Sequence, residues 1–407
     1  MQLSRRTLIA AAALPPVARA IPPSTVLPAR SAFADTGVYL DSASTHPLPL
    51  AGRAAVDEYL AAKTHGRNAV QGPFGATTHQ LVLDAFGRLV GATPDELTLV
   101  QSTTMGECLV IEALGIPGSG GRIVTDALHY TGSFYTYAEL GKAGMDVVTL
   151  PMTADGRIAY EGFEAAINSR TKLVSVSAVS ATNGFEHDLK RLCEIAHAHG
   201  AYVYVDIIQA AGCNPLNLRR AGVDFAASAS YKWLMGDFGL GFLYVRKEIQ
   251  AKVRRPWFGH DQTQEIVPHV LPFDTPSSAV ATYTLLPGAE GLFAMGTTCR
   301  TGEVMLSASL PWLQTLGTDR IRAWRQPMVD AIQRDLRARG YQPMTPIDSR
   351  TQIVTFAYKD ALAKLSEPLD RARVKVTLLP NRMRVAVSLF NDMNHVDRLL
   401  DALPRRA

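Results

Sequence analysis

Short apolar segments alternate with helical patterns between about residues 68 and 245. Apolar runs rich in β-branched residues predict buried strands, and apolar positions three and four residues apart predict helices between them. The predicted strands are 96–101, 121–126, 145–150, 171–180, 201–206 and a segment that follows Lys232. Strands without polar alternation, connected by helices, are typical of a largely parallel sheet covered on both faces. The pattern therefore predicts an α/β domain.

The pattern changes after about Gly288. Two long helical patterns are followed by two strands and a last helix, which is typical of a smaller α+β domain. The corresponding segments are 301–317, 321–340, 351–359, 382–390 and 394–403. We therefore predict a large domain over 51–287 and a small C-terminal domain over 288–407, preceded by an N-terminal segment over 21–50.

The first residues, MQLSRRTLIAAAALPPVARA, have the layout of a secretory signal peptide. A polar opening with Arg5 and Arg6 leads into an apolar run, and an Ala-Arg-Ala triplet ends at Ala20. "SRRTLI" resembles the twin-arginine signal, with which bacteria export folded proteins. We predict recognition of 1–20 by the twin-arginine export machinery, cleavage near Ala20 and a periplasmic or secreted mature chain. The alternative is a disordered cytosolic N-terminus; the apolar run is too short for a stable membrane anchor.

Composition excludes several classes of protein. Hydrophobic residues make up 47% of the chain and charged residues 19%, as in a globular protein. The formal net charge is +4, and most of this excess lies in the leader, so no concentrated basic face points to a nucleic-acid partner. Cys108, Cys193, Cys213 and Cys299 form no CxxC pair and have no metal-ligand spacing. The sequence therefore predicts no metal site. It does not point to a disulfide, although an oxidising compartment would permit one.

Polar residues stand at the ends of two predicted strands, where ligands bind in open α/β sheets. Asp206 ends the strand "AYVYVD", and Gln209 follows three residues later. His129 comes soon after the strand "GRIVTD". Each has a structural alternative, because an Asp can cap a helix or form a salt bridge and a single His is more often structural than functional.

A candidate phosphate site follows the first predicted strand. The segment "STTMGE", residues 102–107, begins a helix and contains Thr103 and Thr104. Free N–H groups and the helix dipole both favour an anion at such a position. The alternative is simple N-capping by Ser102 or Thr103.

Lys232 stands between small residues and glycines in "AASASYKWLMGDFGLGFLYV". A lysine at a strand end ordinarily keeps its charge in water. In an apolar pocket its pKa falls, and the neutral amine can form a Schiff base with an aldehyde cofactor. Together with an acid, an imidazole and a phosphate site on one edge of the sheet, Lys232 predicts pyridoxal 5'-phosphate as the cofactor. A nicotinamide cofactor is disfavoured, because "GDFGLG" has the wrong spacing and position for a GxGxxG motif.

Nearly the whole predicted mature chain, from "VYLDSASTHPLP" to "RVAVSLFNDMNHVDRLLDAL", resembles the class V aminotransferase group of fold-type I pyridoxal-phosphate enzymes. This group includes cysteine desulfurases, kynureninases and isopenicillin N epimerase-like proteins. The resemblance implies a large domain with a mainly parallel seven-stranded sheet, a smaller α+β domain and a homodimer with sites at the subunit interface.

The resemblance also implies roles at the cofactor ring. The segment "SYKWLMG" is similar to the family's lysine segment and places the Schiff base on Lys232, which then acts as general base and acid. The segment "VDIIQAAG" implies that Asp206 pairs with the pyridine nitrogen and that Gln209 contacts the ring hydroxyl. His129 falls where the family stacks an imidazole on the ring.

Phosphate and substrate contacts are implied in the same way. Thr103 and Thr104 match the family's phosphate loop, and Tyr231 resembles the kynureninase tyrosine that reaches the phosphate. Arg384 falls where the family binds the α-carboxylate of the substrate. A guanidinium suits this task because it binds a carboxylate through two parallel hydrogen bonds. The alternative is a structural salt bridge.

The sequence departs from the family pattern at two places. The family often has an asparagine after the strand "LVSVSAVS", where this chain has Ala181, with Asn183 two residues later. No cysteine lies in the segment before Arg384, where a desulfurase carries its sulfur acceptor. The first departure affects contacts with the ring hydroxyl, and the second argues against a cysteine desulfurase.

We therefore expect an exported pyridoxal-phosphate enzyme that acts on an amino acid or a similar amine, by aminotransferase or C–X lyase chemistry. The alternatives are an epimerase or racemase of the isopenicillin N epimerase type, and a non-catalytic binding protein with the same fold. The sequence does not distinguish the substrate.

Overall fold

A computed structural model of the chain describes residues 25–66 and 74–405. Its α-helices are α1 Leu50–Thr64, α2 Ala76–Val90, α3 Thr103–Ala113, α4 Thr131–Lys142, α5 Tyr160–Ala166, α6 Leu189–His197, α7 Leu218–Ala221, α8 Gly288–Phe293, α9 Arg300–Leu316, α10 Thr318–Ala338, α11 Ala361–Arg371 and α12 Met393–Ala402. Its strands are β1 Val38–Tyr39, β2 Leu97–Val100, β3 Arg122–Asp126, β4 Asp146–Leu150, β5 Thr171–Ser177, β6 Tyr202–Asp206, β7 Phe225–Ala229, β8 Gly241–Val245, β9 Thr263–Pro268, β10 Ala281–Leu285, β11 Gln342–Pro343, β12 Ile353–Ala357, β13 Val374–Lys375, β14 Thr377–Leu379 and β15 Arg382–Ala386.

The largest sheet has seven strands in the order β2-β8-β7-β6-β5-β3-β4. The pairs β3–β4, β3–β5, β5–β6 and β6–β7 are parallel, whereas β8 is antiparallel to both of its neighbours. The mainly parallel seven-stranded sheet expected from the sequence is thus confirmed. Its parallel strands all end at one edge, which places the residues that follow β3, β5, β6 and β7 side by side.

Local sequence explains why the helices between these strands begin and end where they do. The side chain of Asp188 accepts a hydrogen bond of 3.1 Å from the N–H of Arg191 and so caps α6. Leu192 and Ala196 face the core, and Gly200 adopts a φ of 74° after the helix. This is the left-handed conformation that glycine accepts without steric cost.

A second, smaller core lies around a four-stranded antiparallel sheet in the order β11-β12-β15-β14. Met328, Ile332 and Leu336 of α10 pack in this core, together with Val38 from the N-terminal segment. That segment joins the small unit because β1 pairs in parallel with β13. Helix α9 packs instead with the large core, although it follows residue 288.

The hairpin formed by β9 and β10 was not predicted from the sequence. Its two strands pair antiparallel with each other and with no strand of the larger sheets among the described residues. Large apolar side chains are exposed on and next to it: Ile266, Val267, Val270, Leu271, Phe273, Val280, Tyr283 and Leu285. The sequence pattern does not reveal such a hairpin. Apolar and polar residues alternate along a strand when one face packs on a core, and this hairpin packs on none among the described residues.

The predicted signal peptide and its cleavage point near Ala20 lie outside the described residues. Within 25–66 and 74–405, no helix combines the length and the apolarity needed to cross a membrane. All four cysteines are free thiols in the structure.

Candidate active site

Lys232 lies in a tight loop directly after β7, at the carboxyl edge of the large sheet. The loop folds back because the N–H of Gly236 bonds to the carbonyl of Ser230 at 2.9 Å. A Cβ on Gly236 would lie 2.6 Å from the Ser230 hydroxyl, which explains the glycine at this position. Only 8% of the Lys232 surface is exposed. Burial lowers the pKa of its ammonium to about 8; nearby Asp206 opposes this shift and Arg384 adds to it.

Asp206 is the last residue of β6 and is 4% exposed. One carboxylate oxygen accepts the N–H of Ile208 at 2.9 Å. Burial raises the pKa of this carboxyl, although the positive charges of His129 and Lys232 and the bond to Ile208 oppose the shift. A buried carboxylate of this kind is favoured in its charged form when a cationic partner binds beside it.

His129 lies three residues after β3 and is 1% exposed. Its Nδ1 is 2.8 Å from the hydroxyl of Ser177, and its Nε2 is 3.2 Å from a carboxylate oxygen of Glu107. Ser177 pairs with Asp206 in the register of β5 and β6. The fold therefore brings His129 and Asp206 to neighbouring positions at the same sheet edge.

The N-terminus of α3 approaches the same edge. The Ser102 hydroxyl accepts the N–H of Met105 at 3.1 Å, so the capping alternative holds for Ser102. Thr103 is buried, and its hydroxyl accepts the N–H of Ala229 at 2.9 Å, which connects α3 to the end of β7 just before Lys232. Thr104 is exposed. The first N–H groups of α3 lack partners within the helix, as an anion site requires.

Gln209 and Tyr231, the two remaining residues predicted near the cofactor, are also close to Lys232 in the structure. The Gln209 amide donates to the carbonyl of Ala43 at 3.0 Å and accepts the indole N–H of Trp233 at 2.7 Å. The ring of Tyr231 stacks on Phe238 with centroids 4.4 Å apart. Both side chains therefore have structural partners, and one amide hydrogen of Gln209 remains for a further contact.

Arg384 approaches the site from the small unit, in the middle of β15, and its side chain is 13% exposed. It donates to the Ala181 carbonyl at 3.0 Å, to the Ser44 hydroxyl at 2.7 Å and to the Thr377 hydroxyl at 3.0 Å. Its Nε–H is buried and has no hydrogen-bond partner among the described residues. Burial lowers the pKa of this guanidinium, while Asp41, 3.8 Å away, opposes the shift. Among the described residues, the only carboxylate that could form a structural salt bridge with Arg384 is that of Asp41, and this contact is long.

Asn183 does not stand in for the missing asparagine. It is fully buried, donates to the carbonyls of Gly156 and Met344 and accepts the N–H of Phe185 at 3.0 Å. The contact with Phe185 stabilises the loop of Asn183 itself, and the other two connect this loop to Gly156 and to Met344 of the small unit. Asp41 and Ser44 hold Arg384 from the N-terminal segment. Neither was predicted as a site residue, although both lie in the motif "VYLDSAST".

These side chains fit pyridoxal phosphate by their chemistry. Lys232 is a buried amine with a lowered pKa, and Asp206 is a buried carboxyl that lacks a cationic hydrogen-bond partner among the described residues. Helix α3 offers the N–H groups of its first turn, of which that of Met105 is bonded to Ser102. These three groups match the aldehyde, the pyridine nitrogen and the phosphate of the cofactor. The buried Nε–H of Arg384 adds a free donor for an anionic substrate group.

Comparison with known proteins agrees with this chemistry. The family model "Aminotransferase class-V" matches residues 38–378. A "Probable cysteine desulfurase" of Halalkalibacterium halodurans is 28% identical over 331 residues, which are 79% of this chain and 78% of that protein.

Solved structures show the same fold. The cysteine desulfurase CsdA of Escherichia coli superposes with a TM-score of 0.78 at 21% identity, covering 93% of this chain and 97% of that one. A C-DES variant with glycine covalently linked to its pyridoxal-phosphate cofactor superposes with a TM-score of 0.76 at 17% identity, covering 91% and 98%. The predicted fold class, a fold-type I pyridoxal-phosphate enzyme, is confirmed.

Proposed function

Because the chain belongs to the class V aminotransferase family of pyridoxal-phosphate enzymes, we propose that it is a lyase that cleaves a carbon–sulfur bond of a small α-amino acid. One observation carries this proposal: a buried amine, a buried carboxyl and a guanidinium with a free donor lie together at Lys232, Asp206 and Arg384. The names of the cysteine desulfurases similar to this chain support sulfur as the leaving atom.

Each of these residues has a defined task in the proposal. When bound, pyridoxal phosphate supplies an electron sink for negative charge at the substrate α-carbon. Lys232 holds the cofactor and moves a proton at the α-carbon through its Nζ. Asp206 places a negative charge beside the pyridine nitrogen, and the N-terminus of α3 with Thr103 and Thr104 binds the phosphate. Gln209 and Tyr231 complete the cofactor contacts. Arg384 binds the α-carboxylate and so orients the bond to be broken.

The positions and burial of the cysteines support a proposal about the path of the sulfur, although Cys299 is an exposed free thiol. No cysteine lies between Val374 and Met383, ahead of Arg384. Burial raises the pKa of Cys193 and of Cys213 to about 12, which keeps both thiols protonated and unreactive. We therefore propose that sulfur leaves as a small molecule and is not transferred to a protein cysteine in the segment before Arg384.

Product analysis tests the reaction type. The cofactor-loaded protein is incubated with a panel of L-α-amino acids, and sulfide, keto acids, ammonia and the remaining amino acid are measured, with Lys232→Ala as the control. Sulfide, a keto acid and ammonia are expected from sulfur-containing substrates without an amino acceptor, because the nitrogen of the amino acid is released when the elimination product is hydrolysed. A keto acid only when an acceptor is added would identify an aminotransferase instead. Deuterium uptake from solvent without loss of substrate would identify a racemase or epimerase.

We also propose that the chain acts as a homodimer. The support is the group of exposed apolar side chains on the β9–β10 hairpin, since apolar patches rimmed by polar residues mark interaction sites. Light scattering of the purified protein should give twice the chain mass. Phe273→Ser with Ile266→Ser should shift the protein toward the monomer, whereas a monomeric wild type would contradict the proposal.

Export by the twin-arginine pathway is a further proposal, supported by Arg5 and Arg6 before the apolar run. Replacing both with Lys should leave cofactor-loaded protein in the cytoplasm of an expressing bacterium. Replacing Arg19 alone is the matched control and should not. Normal periplasmic accumulation of the double variant would overturn the proposal.

A further inference from the structure

A buried polar cluster lies beside the cofactor residues and includes a carboxylate that the family roles leave unassigned. Glu107 of α3 is 3% exposed. One oxygen accepts the Ser133 hydroxyl at 2.7 Å, and the other accepts the Ser175 hydroxyl at 3.1 Å and the hydroxyl of Tyr137. The same oxygen is 3.2 Å from Nε2 of His129. The four partners come from α4, β5 and the loop after β3.

This geometry fixes the ionisation of Glu107. Each of its three hydroxyl partners can donate a hydrogen bond, and a carboxylate with only donors around it is favoured in its charged form. The pKa of Glu107 is lowered accordingly: burial would raise it, but the bond and charge of His129 and the bonds of Tyr137 and Ser133 outweigh burial. Nε2 of His129 lies 3.2 Å from both this carboxylate and the Ser175 hydroxyl, whose own hydrogen is directed to Glu107. Nε2 then carries a hydrogen, because a lone pair there would face the carboxylate.

The other side of the His129 ring allows a second proton. Nδ1 faces the hydroxyl of Ser177 at 2.8 Å, and a hydroxyl oxygen can accept a hydrogen bond. Burial by itself lowers the pKa of His129, but the hydrogen bond and charge of Glu107 and the charges of Asp206 and Asp126 raise it overall. Tyr137 also packs against the ring, with centroids 6.2 Å apart, and its own pKa is raised by burial, so it remains neutral.

We propose that Glu107 is a positioning residue that holds His129 as an imidazolium beside Asp206, so that a buried Glu107–His129 ion pair keeps the Asp206 carboxyl ionised for the cofactor. Asp206 needs this help because its burial and the negative charge of Glu107 both favour the protonated form. The positive charge of His129 is the largest effect that opposes them, and it outweighs the charge of Glu107. The inference rests on the cofactor roles of His129 and Asp206 in the proposed function. It does not depend on which bond of the substrate is cleaved.

The first experiment measures the charge of His129 directly in the cofactor-free protein. The side chains of the ten histidines are labelled with ¹⁵N, and His129 is assigned by the signal lost in His129→Asn. Both ring nitrogens of wild-type His129 should have imidazolium shifts at pH 7.5. In Glu107→Gln, we expect the transition to the neutral ring to move down by about 1–3 pH units. A neutral ring in the wild type at pH 7.5 would overturn the proposal even if the variant failed to fold.

The second experiment measures equilibrium binding of pyridoxal phosphate to the apoprotein between pH 6 and pH 9. In Glu107→Gln, the loss of the His129 charge should outweigh the loss of the Glu107 charge, so that Asp206 keeps its proton to higher pH. Affinity should therefore fall about tenfold at the acidic end and recover at the alkaline end. Glu107→Asp retains the charge and should restore much of the wild-type profile. Glu112→Gln, on the exposed face of α3, is the matched control and should leave the profile unchanged. An equal loss at every pH would show a purely structural role and contradict the proposal.

Discussion

The two sides of the active site are built on different kinds of sheet. On the large-sheet side, Lys232, Asp206 and His129 follow parallel strands that end at one edge. On the small-unit side, Arg384 lies in the middle of an antiparallel strand. The first side is almost completely buried, whereas Arg384 remains partly exposed.

This difference separates two chemical requirements. The cofactor groups need a low-dielectric environment, because burial is what lowers the pKa of Lys232 and raises that of Asp206. A group that binds and releases substrate must keep a donor that no charged partner already occupies. Arg384 meets this requirement, since its partners Ser44 and Thr377 are hydroxyls and Asp41 is 3.8 Å away. A tight bidentate carboxylate partner would occupy the guanidinium and compete with substrate.

The largest expected effect is that of Lys232→Ala on the buried side. The variant should lose turnover by about 10²–10⁴-fold or more, because proton transfer at the α-carbon loses its catalyst. Borohydride should also no longer fix the cofactor to the chain, as measured by mass spectrometry. Lys247→Ala, an exposed lysine after β8, should behave like the wild type. A reducible linkage at another lysine would contradict the assignment.

Asp206→Asn removes the negative charge on the same side. Turnover should fall by about 10²–10³-fold, the scale of removing one preorganised electrostatic group, while the cofactor still binds. Steady-state rates and the absorbance of the bound cofactor check both parts. Asp146→Asn, at the opposite end of the same sheet, provides the matched control. Unchanged turnover in Asp206→Asn would contradict the proposed role of its negative charge.

Arg384→Lys tests the small-unit side. The charge remains but the two-pronged geometry is lost, and kcat/KM for α-amino acids should fall by roughly 1.5–3 kcal/mol in transition-state stabilisation. An amine substrate without a carboxylate should be nearly unaffected. Arg382→Lys, two residues earlier in β15, should change kcat/KM by less than about 0.5 kcal/mol. Equal losses for both variants on both substrates would mean that Arg384 is structural.

The smallest expected effect connects the two sides through the pKa of Lys232. Only the neutral amine captures the cofactor aldehyde, and so the capture rate of the apoprotein should rise about tenfold per pH unit below the pKa of about 8 and level off above it. Arg384→Met should move this midpoint up by about one unit or less, because a positive neighbour is removed. Stopped-flow absorbance measures the midpoint. A downward shift would contradict the inferred coupling.

Much of the large unit could be predicted from sequence because its elements depend on local patterns. The strands "TKLVSVSAVS" and "AYVYVD" are apolar throughout, and the structure has β5 and β6 there. The β9–β10 hairpin lacked such a pattern, because its apolar residues face no core within the chain. The antiparallel direction of β8 was also not expected, since an apolar run has no direction.

The same distinction between local pattern and tertiary packing applies to the candidate site. The sequence by itself determined which residues end the parallel strands, and that was enough to group Lys232, Asp206 and His129, because such ends share one edge. Only the tertiary structure decided the partners: Asp41 and Ser44 next to Arg384, and Glu107 next to His129. In the sequence, Glu107 is one of several polar residues in a largely apolar helix. Its charge acquires a role only in the folded protein, where packing excludes water and places the imidazolium of His129 beside it.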